Sequence, residues 1–460
     1  MPAKIIKRAK TNTSAEVLNA IRNSANQYYK DYVPVATDDA ECIKNIGNII
    51  MDNPALRNQF VDIINRIALV MIKSRVWDNP LRMFTKGMLE FGETVENIFV
   101  DIANAHQYDP EDAESTLFKR EMPNVHAEYF VMNYQVFYKQ TTQDKDLRQA
   151  FLSQNGVIDL VTGIVNAMYT AASYDVYQVT KYMLARRLLD GMCQVVNCNG
   201  ATYAQLVEKV KAASNKFTFL SNKNNLAHVY NATPKENQYI LIDADVDAAI
   251  DVNVLAAAFH MDKVTFSGHK VLIDGFGNLD NDRLAFLLAN NPNYVAIDST
   301  EQAALNAIPM VLVDEDFFMI FDNLFEMYSD TYNEQGLYRN HFLHNWKTFA
   351  TSAFSNNAAF IPGTPAVSAI TVSPATVTLD NGTAAQTAQF NAAVTTSYYA
   401  PQSVVWSVDS TAAAAGVTID SRGLVTIPKT FEDSTITVTA TSTFNSSVTD
   451  TSTITVGTVI

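Results

Sequence analysis

Asp243, Asp245 and Asp247 alternate in a D-x-D-x-D run, the spacing in this chain that comes nearest to a cation site. An EF-hand calcium loop also needs a glycine at its sixth position for the sharp turn and a bidentate glutamate at its twelfth. Those positions carry Ala248 and Val254, so a strand end running into a helix cap accounts better for the aspartates. Cys193 and Cys198 lie close together, but no second Cys or Cys/His pair follows at zinc-site spacing. His341 and His344 lack the intervening glutamate of an H-E-x-x-H helix, and their neighbours Phe342, Trp346 and Phe349 point to a structural role. Gly275-Phe276-Gly277 lacks the third glycine of a dinucleotide fingerprint. There is no G-x-x-x-x-G-K-[ST] and no G-x-S-x-G. The expectation is a chain with no catalytic residue, no metal and no cofactor, although an active site assembled from distant residues leaves no linear motif.

A different set of charges has a different chemistry. Arg82, Lys86, Glu90 and Glu93 are interspersed with Phe, Met and Val in PLRMFTKGMLEFGETVENIFVDI, which begins at Pro80. Gly87 and Gly92 punctuate short strand-like pieces, so the segment reads as a projecting hairpin with opposite charges along it. A hairpin alone in water is marginal. It is either an ordinary edge hairpin of its own domain or one that lies on a neighbouring subunit.

The elements that must position these residues centre on one long helix. In GVIDLVTGIVNAMYTAASYDVYQVTKYMLARRLLD, residues 156–190, Val157, Val161, Ile164, Met168, Ala172, Val176, Val179 and Met183 recur at spacings of three or four. They make one apolar stripe. Asp159, Asn166, Ser173, Asp175, Gln178 and Lys181 fall on the other faces. Such a helix would reach roughly 50 Å, a spine for other elements to lie across. Before it come helices carrying Val17, Leu18 and Ile21, then Ile43, Ile46, Ile49 and Ile50 behind Thr37-Asp38-Asp39, and a third starting near Pro54. Residues 125–143 (VHAEYFVMNYQVFYKQTTQ) read as strand. After the spine, short apolar runs at 239–243, 270–274, 309–314 and 317–321 alternate with helical signals at 201–213 and 246–259. That pattern indicates a mixed α/β unit over about residues 199–328.

Composition bounds the rest. The 460 residues are 48% hydrophobic, ample for a core, and point to about two to four domains. The net charge of -15 argues against broad nucleic-acid or anionic-membrane binding. The exception is Lys4, Lys7, Arg8 and Lys10, which read as a solvated terminus. Three cysteines, Cys42, Cys193 and Cys198, form no disulfide framework and suggest a reducing compartment. No secretory signal and no membrane span are expected, since the apolar run 63–72 is broken by Asn65 and Arg66. Beyond the linker IPGTPA at 361–366, Ser and Thr dominate and methionine disappears. Short alternating strands with turns at Asn381-Gly382 and Arg422-Gly423 suggest a β-sandwich with Trp406 as its core aromatic.

Several stretches together resemble the major capsid proteins of phi-29-like tailed phages: Asn79-Pro80-Leu81, FKREMPNV from Phe118, LIDADVDAAIDVNVLAAAF from Leu241, VLVDEDFFMIFDNL from Val311 and GLYRNHFLHNWKTF from Gly336. The resemblance covers most of residues 15–360. It implies an α+β, HK-97-like capsid fold over residues 1–360, with an N-terminal arm, an extended loop at about 79–104, a peripheral domain built on the spine helix 156–190, and an axial domain at about 199–328. Residues 335–360 would close the peripheral domain. Val405-Trp406-Ser407, Gly423-Leu424-Val425 and the run from Ile436 to Ala440 resemble a Big-2 immunoglobulin-like module, placed at 367–460. One departure is the sequence at about 277–308, longer than the family pattern, with Arg283, Leu284, Leu287 and Leu288 in a helix expected to decorate the axial domain.

The function implied is a structural protein, not an enzyme. It would self-assemble as pentamers and hexamers into an icosahedral or prolate head around double-stranded DNA. The implied partners are other copies of itself, a scaffolding protein, a portal or connector, the packaged DNA without sequence specificity, and a host surface through the Big-2 module. The implied location is the virion, after assembly in the host cytoplasm. Arg82, Lys86, Glu90 and Glu93 become the expected inter-subunit contacts. The rival readings are a cell-surface adhesin and an α/β enzyme with an accessory β-domain.

Overall fold

The computed structural model describes residues 13–60, 77–89, 94–103, 105–106, 122–152, 156–257, 269–329, 332–380, 385–429, 431 and 434–457. At the N-terminal end, Thr13 caps a helix over Ser14–Ser24. Its hydroxyl accepts from the Glu16 amide while the Glu16 carboxylate accepts from the Thr13 amide, so two otherwise unpaired helix donors are satisfied. Asp39 does the same, singly, for the helix Ala40–Asp52. The apolar stripes of these helices meet each other and Phe60, Leu147 and Phe151 in one small core.

Strands β1 (Thr85–Met88), β2 (Val95–Val100), β3 (Val125–Phe130) and β4 (Tyr134–Gln143) precede the spine helix, which runs Gly156–Leu189. After it come β5 (Val195–Asn197), β6 (Gln238–Asp243), β7 (His269–Ile273), β8 (Met310–Asp314), β9 (Phe318–Ser329), β10 (Tyr338–Thr351) and β11 (Asn357–Ile361). They make two main sheets. One has the order β1-β9-β10-β4, and the other β5-β11-β8-β6-β7.

The five-stranded sheet explains the short continuous apolar runs. Leu241, Val311, Val313 and Ile361 face a core shared with the spine helix. Ile240, Ile242, Met310, Leu312 and Phe360 face the opposite way, onto the helix Tyr203–Phe217. A strand covered on both faces has no reason to alternate. The segment 317–321, read with this α/β unit, instead belongs to β9 in the other sheet.

Two expectations about strands are corrected. Residues 125–143 break into two strands: β3 pairs with β2, and β4 pairs antiparallel with β10. The strand-like pieces after Pro80 do not pair with each other. Strand β1 joins the edge of the four-stranded sheet, parallel to β9, and the hairpin-like pair is β2 with β3. The physical reason is that β9 leaves one edge unpaired beside Phe84, whose burial there brings β1 alongside.

The spine helix departs from the single-stripe reading. Met168, Ala172, Val176 and Val179 are buried as expected, with Met168 and Ala172 packed on Leu343 of β10; the side chains of Val157, Val161 and Ile164 lie outside the described residues. Asp175, Gln178 and Lys181, assigned to the free faces, are buried as well. What covers them is the supposed decoration. Arg283 forms an ion pair with Asp175, the Gln178 side chain accepts from the Asp280 amide, and Lys181 reaches Asp274 at 2.6 Å and the Asn278 carbonyl at 2.8 Å. The Tyr182 hydroxyl closes the set on the Val295 backbone. Leu284, Leu288, Ile297, Leu305 and Ile308 enter the main core beside it. The segment is thus an outer layer packed on the spine, with one side in the main core and the other open to solvent.

Among the described residues, nine further strands follow residue 365: β12 (Ala366–Ser373), β13 (Thr376–Asp380), β14 (Gln386–Gln389), β15 (Asn391–Ser397), β16 (Val404–Val408), β17 (Thr418–Ile419), β18 (Leu424–Ile427), β19 (Ser434–Ser442) and β20 (Thr449–Gly457). They form sheets β13-β20-β19-β16, β12-β15 and β14-β18-β17 around Phe390, Val425, Ile436, Val438 and Ile454. In β19, Ile436, Val438 and Ala440 point inward while the threonines between them do not, the period-two signature of a half-buried strand. Phe390 is fully buried at the centre, and Trp406, half-buried, packs against the same core. Val404, Trp406 and Val408 do share a face, with Val405 exposed.

Candidate assembly surface

The residues singled out for metal chemistry turn out to be structural. Asp243 Oδ1 accepts from the amides of Asp245 and Val246 at the start of the helix Ala244–Ala257, and Asp247 is paired with Lys270. His341 and His344 are three apart on a strand and so point to opposite faces. His341 is buried against the Thr142 hydroxyl at 3.0 Å, and His344 lies among Phe137, Tyr328 and Trp346. Cys193 is buried, and burial pushes its thiol up to about 11; Cys198 shifts the same way. Among the described residues no three His, Cys, Asp or Glu side chains gather in a way that could hold a metal ion.

The assembly candidates sit at the base of β1. The Asn79 side chain, itself buried, accepts from the Leu81 amide at 2.8 Å and turns the chain inward. Leu81 and Phe84 are the anchors. The Phe84 ring lies 4.9 Å from Phe318 and 5.1 Å from Tyr239, so it ties both main sheets to this corner. Arg82, between the anchors, is exposed. Lys86 is half-buried and engaged within its own chain: its ammonium lies 2.7 Å from Asp316 Oδ1 and donates to the Glu315 carbonyl at 3.0 Å. Glu90 and Glu93 lie outside the described residues.

Behind Lys86 stands a ladder of buried polar groups. The Asp316 amide donates to Asp314 Oδ1, and the Thr233 hydroxyl donates to Asp314 Oδ2. Asn356 donates to Thr233 at 3.1 Å, and Asn225 to Asn356 at 3.3 Å. Burial raises the Asp314 carboxyl above its ordinary value, against the lowering effect of its hydrogen bonds and of Lys86.

Charge is not the main feature of the neighbouring β2–β3 pair. Its inner face is fastened to residues 352–354: Glu128 accepts from the Ser352 hydroxyl at 2.9 Å and from the Ala353 amide at 2.6 Å, and Phe99 packs on Phe354. Its outer face carries Ile98, Val100, Val125 and Tyr129, which are 55%, 54%, 51% and 64% exposed. Ile98 stands opposite Ala127 and Val100 opposite Val125, an apolar cluster bordered by Glu96, which stands opposite Tyr129 and accepts from its hydroxyl at 2.8 Å. Exposed apolar side chains clustered on one strand face make it a candidate contact surface. The sequence reading missed it because it weighed the charges. The signal available was the alternation of Ile98 and Val100 against Asn97 and Phe99, with both faces of the strand carrying apolar residues.

A family model described as phi29-like phage major capsid protein matches residues 18–361. The chain belongs to this family. It is 34% identical over 424 residues to the major capsid protein of Bacillus phage B103, covering 90% of this chain and 87% of the relative. It is also 34% identical over 437 residues to that of Bacillus phage PZA, covering 93% and 90%. Spans of that length reach beyond residue 361 into the C-terminal strands. Among solved structures, the capsid of Staphylococcus phage Andhra is similar at 14% identity and a TM-score of 0.49, over 63% of this chain and 85% of that one. A phi29-like major capsid protein is a structural component of the virion, so the adhesin and enzyme readings are set aside. No helix among the described residues is long and apolar enough to cross a membrane.

Proposed function

We propose that this capsid protein builds its shell by laying the outer face of β2–β3 against a second copy of the chain. The observation that carries this is the exposed apolar cluster of Ile98, Val100, Val125 and Tyr129, with Glu96 at its border, on a two-stranded element that is fastened on its other side. Covering the half of each of these side chains still open to water is worth about 1 kcal/mol each, whereas an exposed ion pair contributes about 0–1 kcal/mol. Arg82 then acts as a charged contact to the neighbouring copy, as do Glu90 and Glu93 outside the described residues, and Lys86, already paired with Asp316, orients the base of the arm. Repetition over a shell multiplies small terms.

The same reading takes residues 1–360 as an HK-97-like body, with the extended loop at about 79–104, the spine at 156–190 and the axial domain at about 199–328. The long helix lying across a sheet and the separate five-stranded α/β layer support it. It takes 367–460 as a Big-2 immunoglobulin-like module, supported by the sheets packed around Phe390. Pentamers and hexamers of the subunit, a scaffolding protein, a portal and packaged double-stranded DNA are the partners of that architecture, with a host surface as the partner of the module. The net charge of -15 suits a container wall that lets DNA pass in and out, since tight phosphate binding would hinder both.

The test is Ile98→Asp in the full chain, co-expressed with the scaffolding protein and viewed by electron microscopy. Shells should be lost while the soluble subunit keeps wild-type thermal unfolding, because the side chain is exposed in the subunit. Shells formed at wild-type yield would sink the assignment.

A further inference from the structure

The six residues that join β15 to β16, Tyr398-Tyr399-Ala400-Pro401-Gln402-Ser403, do more than turn the chain. Tyr398 and Tyr399 both have left-handed backbone, with φ of 50° and 59°. Non-glycine residues seldom adopt it, and two in succession persist only where the surroundings hold them. Here the surroundings are the capsid body. A Cβ added to Gly363 would run into the Tyr398 ring, so that ring lies directly on the connection between β11 and β12. Tyr399 packs against the main core that the spine helix shares, and Ala400 and Pro401 are buried.

The polar contacts are directed in the same way. The Gln402 amide donates to the carbonyl of Gly191, just past the end of the spine helix, at 3.1 Å. Gly191 is left-handed too, with φ of 62°, and a Cβ there would come within 2.8 Å of the Ala400 carbonyl. The Ser403 hydroxyl lies 3.3 Å from His228 Nε2, while His228 Nδ1 lies 3.2 Å from the Asn222 carbonyl. His228 is a further non-glycine residue with positive φ. On the module side, Thr443 holds Ser403 through its hydroxyl, at 2.7 Å, and through its amide, at 3.2 Å. Two separate parts of the body, at 191 and 228, and the connecting segment at 363 thus converge on one short segment of the C-terminal unit.

We propose that residues 398–403 are a latch that fixes the C-terminal β unit in one orientation on the body, and that opening the latch converts the unit into a domain tethered only by residues 362–365. Strained backbone on both sides of the contact fits a device with two states, since each side gives up its strain when the other leaves. The inference does not rest on the capsid reading, because the latch closes within one chain.

The test uses the full-length protein and hydrogen exchange. Gly363→Ala is compatible with the local backbone, and the collision it creates is with the Tyr398 ring. It should speed exchange in peptides covering 398–404, 188–194 and 225–231 by about tenfold or more, and should speed protease cleavage at 362–365. Helix Ser14–Ser24 and the β2–β3 pair should exchange as in the wild type. Adding Tyr398→Ala removes the colliding ring and should restore slow exchange. Wild-type exchange and cleavage in Gly363→Ala would overturn the latch, and so would a double variant as open as the single one. If Gly363→Ala unfolds the whole chain, Tyr399→Ser, which adds no atoms, decides: the same regional pattern supports the latch and unchanged exchange rejects it.

Discussion

Asp314 has both carboxylate oxygens occupied, one by the Thr233 hydroxyl and one by the Asp316 amide, yet burial still raises its pKa. A carboxyl whose folded pKa lies above its unfolded value favours the fold fully at pH below that unfolded value, 3.8, and loses the contribution as pH rises through the folded pKa. Asp314→Asn has no such dependence. Relative to wild type, it should therefore gain stability as pH is raised from below 3.8 toward neutrality. Urea unfolding across that range measures it, and a parallel pH dependence in the two proteins would refute the placement of the charge. Residues of this kind were invisible in the sequence. Asp314 read as the end of an apolar strand, which it is. Its partners, Thr233 and Asn356, are brought to it by folding alone, and no local pattern encodes them.

At the scale of elements, the spine helix and the segment over it depend on one another. Asp175 is fully buried, takes both nitrogens of Arg283 offered to it and also accepts from the Tyr138 hydroxyl at 2.6 Å. Removing one partner of a buried pair leaves a charge without compensation. Arg283→Met should cost about 2–3 kcal/mol, below the full range for buried pairs because the guanidinium is partly open to solvent. Denaturant unfolding reads this, and a loss no larger than that of an exposed ion pair would show that Arg283 merely rests on the surface. The helix itself was legible: its start matched, and the structure ends it at Leu189. Its environment was not. Polar residues on a helix normally mean water, and only the tertiary arrival of Arg283, Asp280 and Asp274 makes Asp175, Gln178 and Lys181 interior. The strands behaved likewise. Glycine-punctuated apolar pieces and the run from Val125 marked strands here, but which strand pairs with which is settled by distant chain, as when β1 takes its place beside β9.

For the whole molecule, the legible part was the change in composition after residue 361, which separates a Met-containing body from a Ser/Thr-rich set of strands. The sequence suggested a linker at 361–366 and a β-sandwich beyond it, and said nothing of contact between that unit and the body. The structure instead closes the gap with Tyr399, Gln402 and Ser403, residues that carry no motif and matter only because Gly191, Gly363 and His228 are there to meet them. Of the residues the sequence offered as subunit contacts, Lys86 is a partner of Asp316 in its own chain, and the exposed apolar side chains on which the proposed contact rests lie a strand further on.

That face has a thermal consequence. Contacts made by removing apolar side chains from water weaken on cooling, because the drive is largely entropic near room temperature and carries a large heat-capacity change. Subunits joined through Ile98, Val100, Val125 and Tyr129 should therefore release one another in the cold, and shells should dissociate more readily on ice than at room temperature. Light scattering of an assembled sample during a slow cooling ramp would show it. A signal that holds or grows as the sample cools would mean that polar contacts, not this face, hold the wall together.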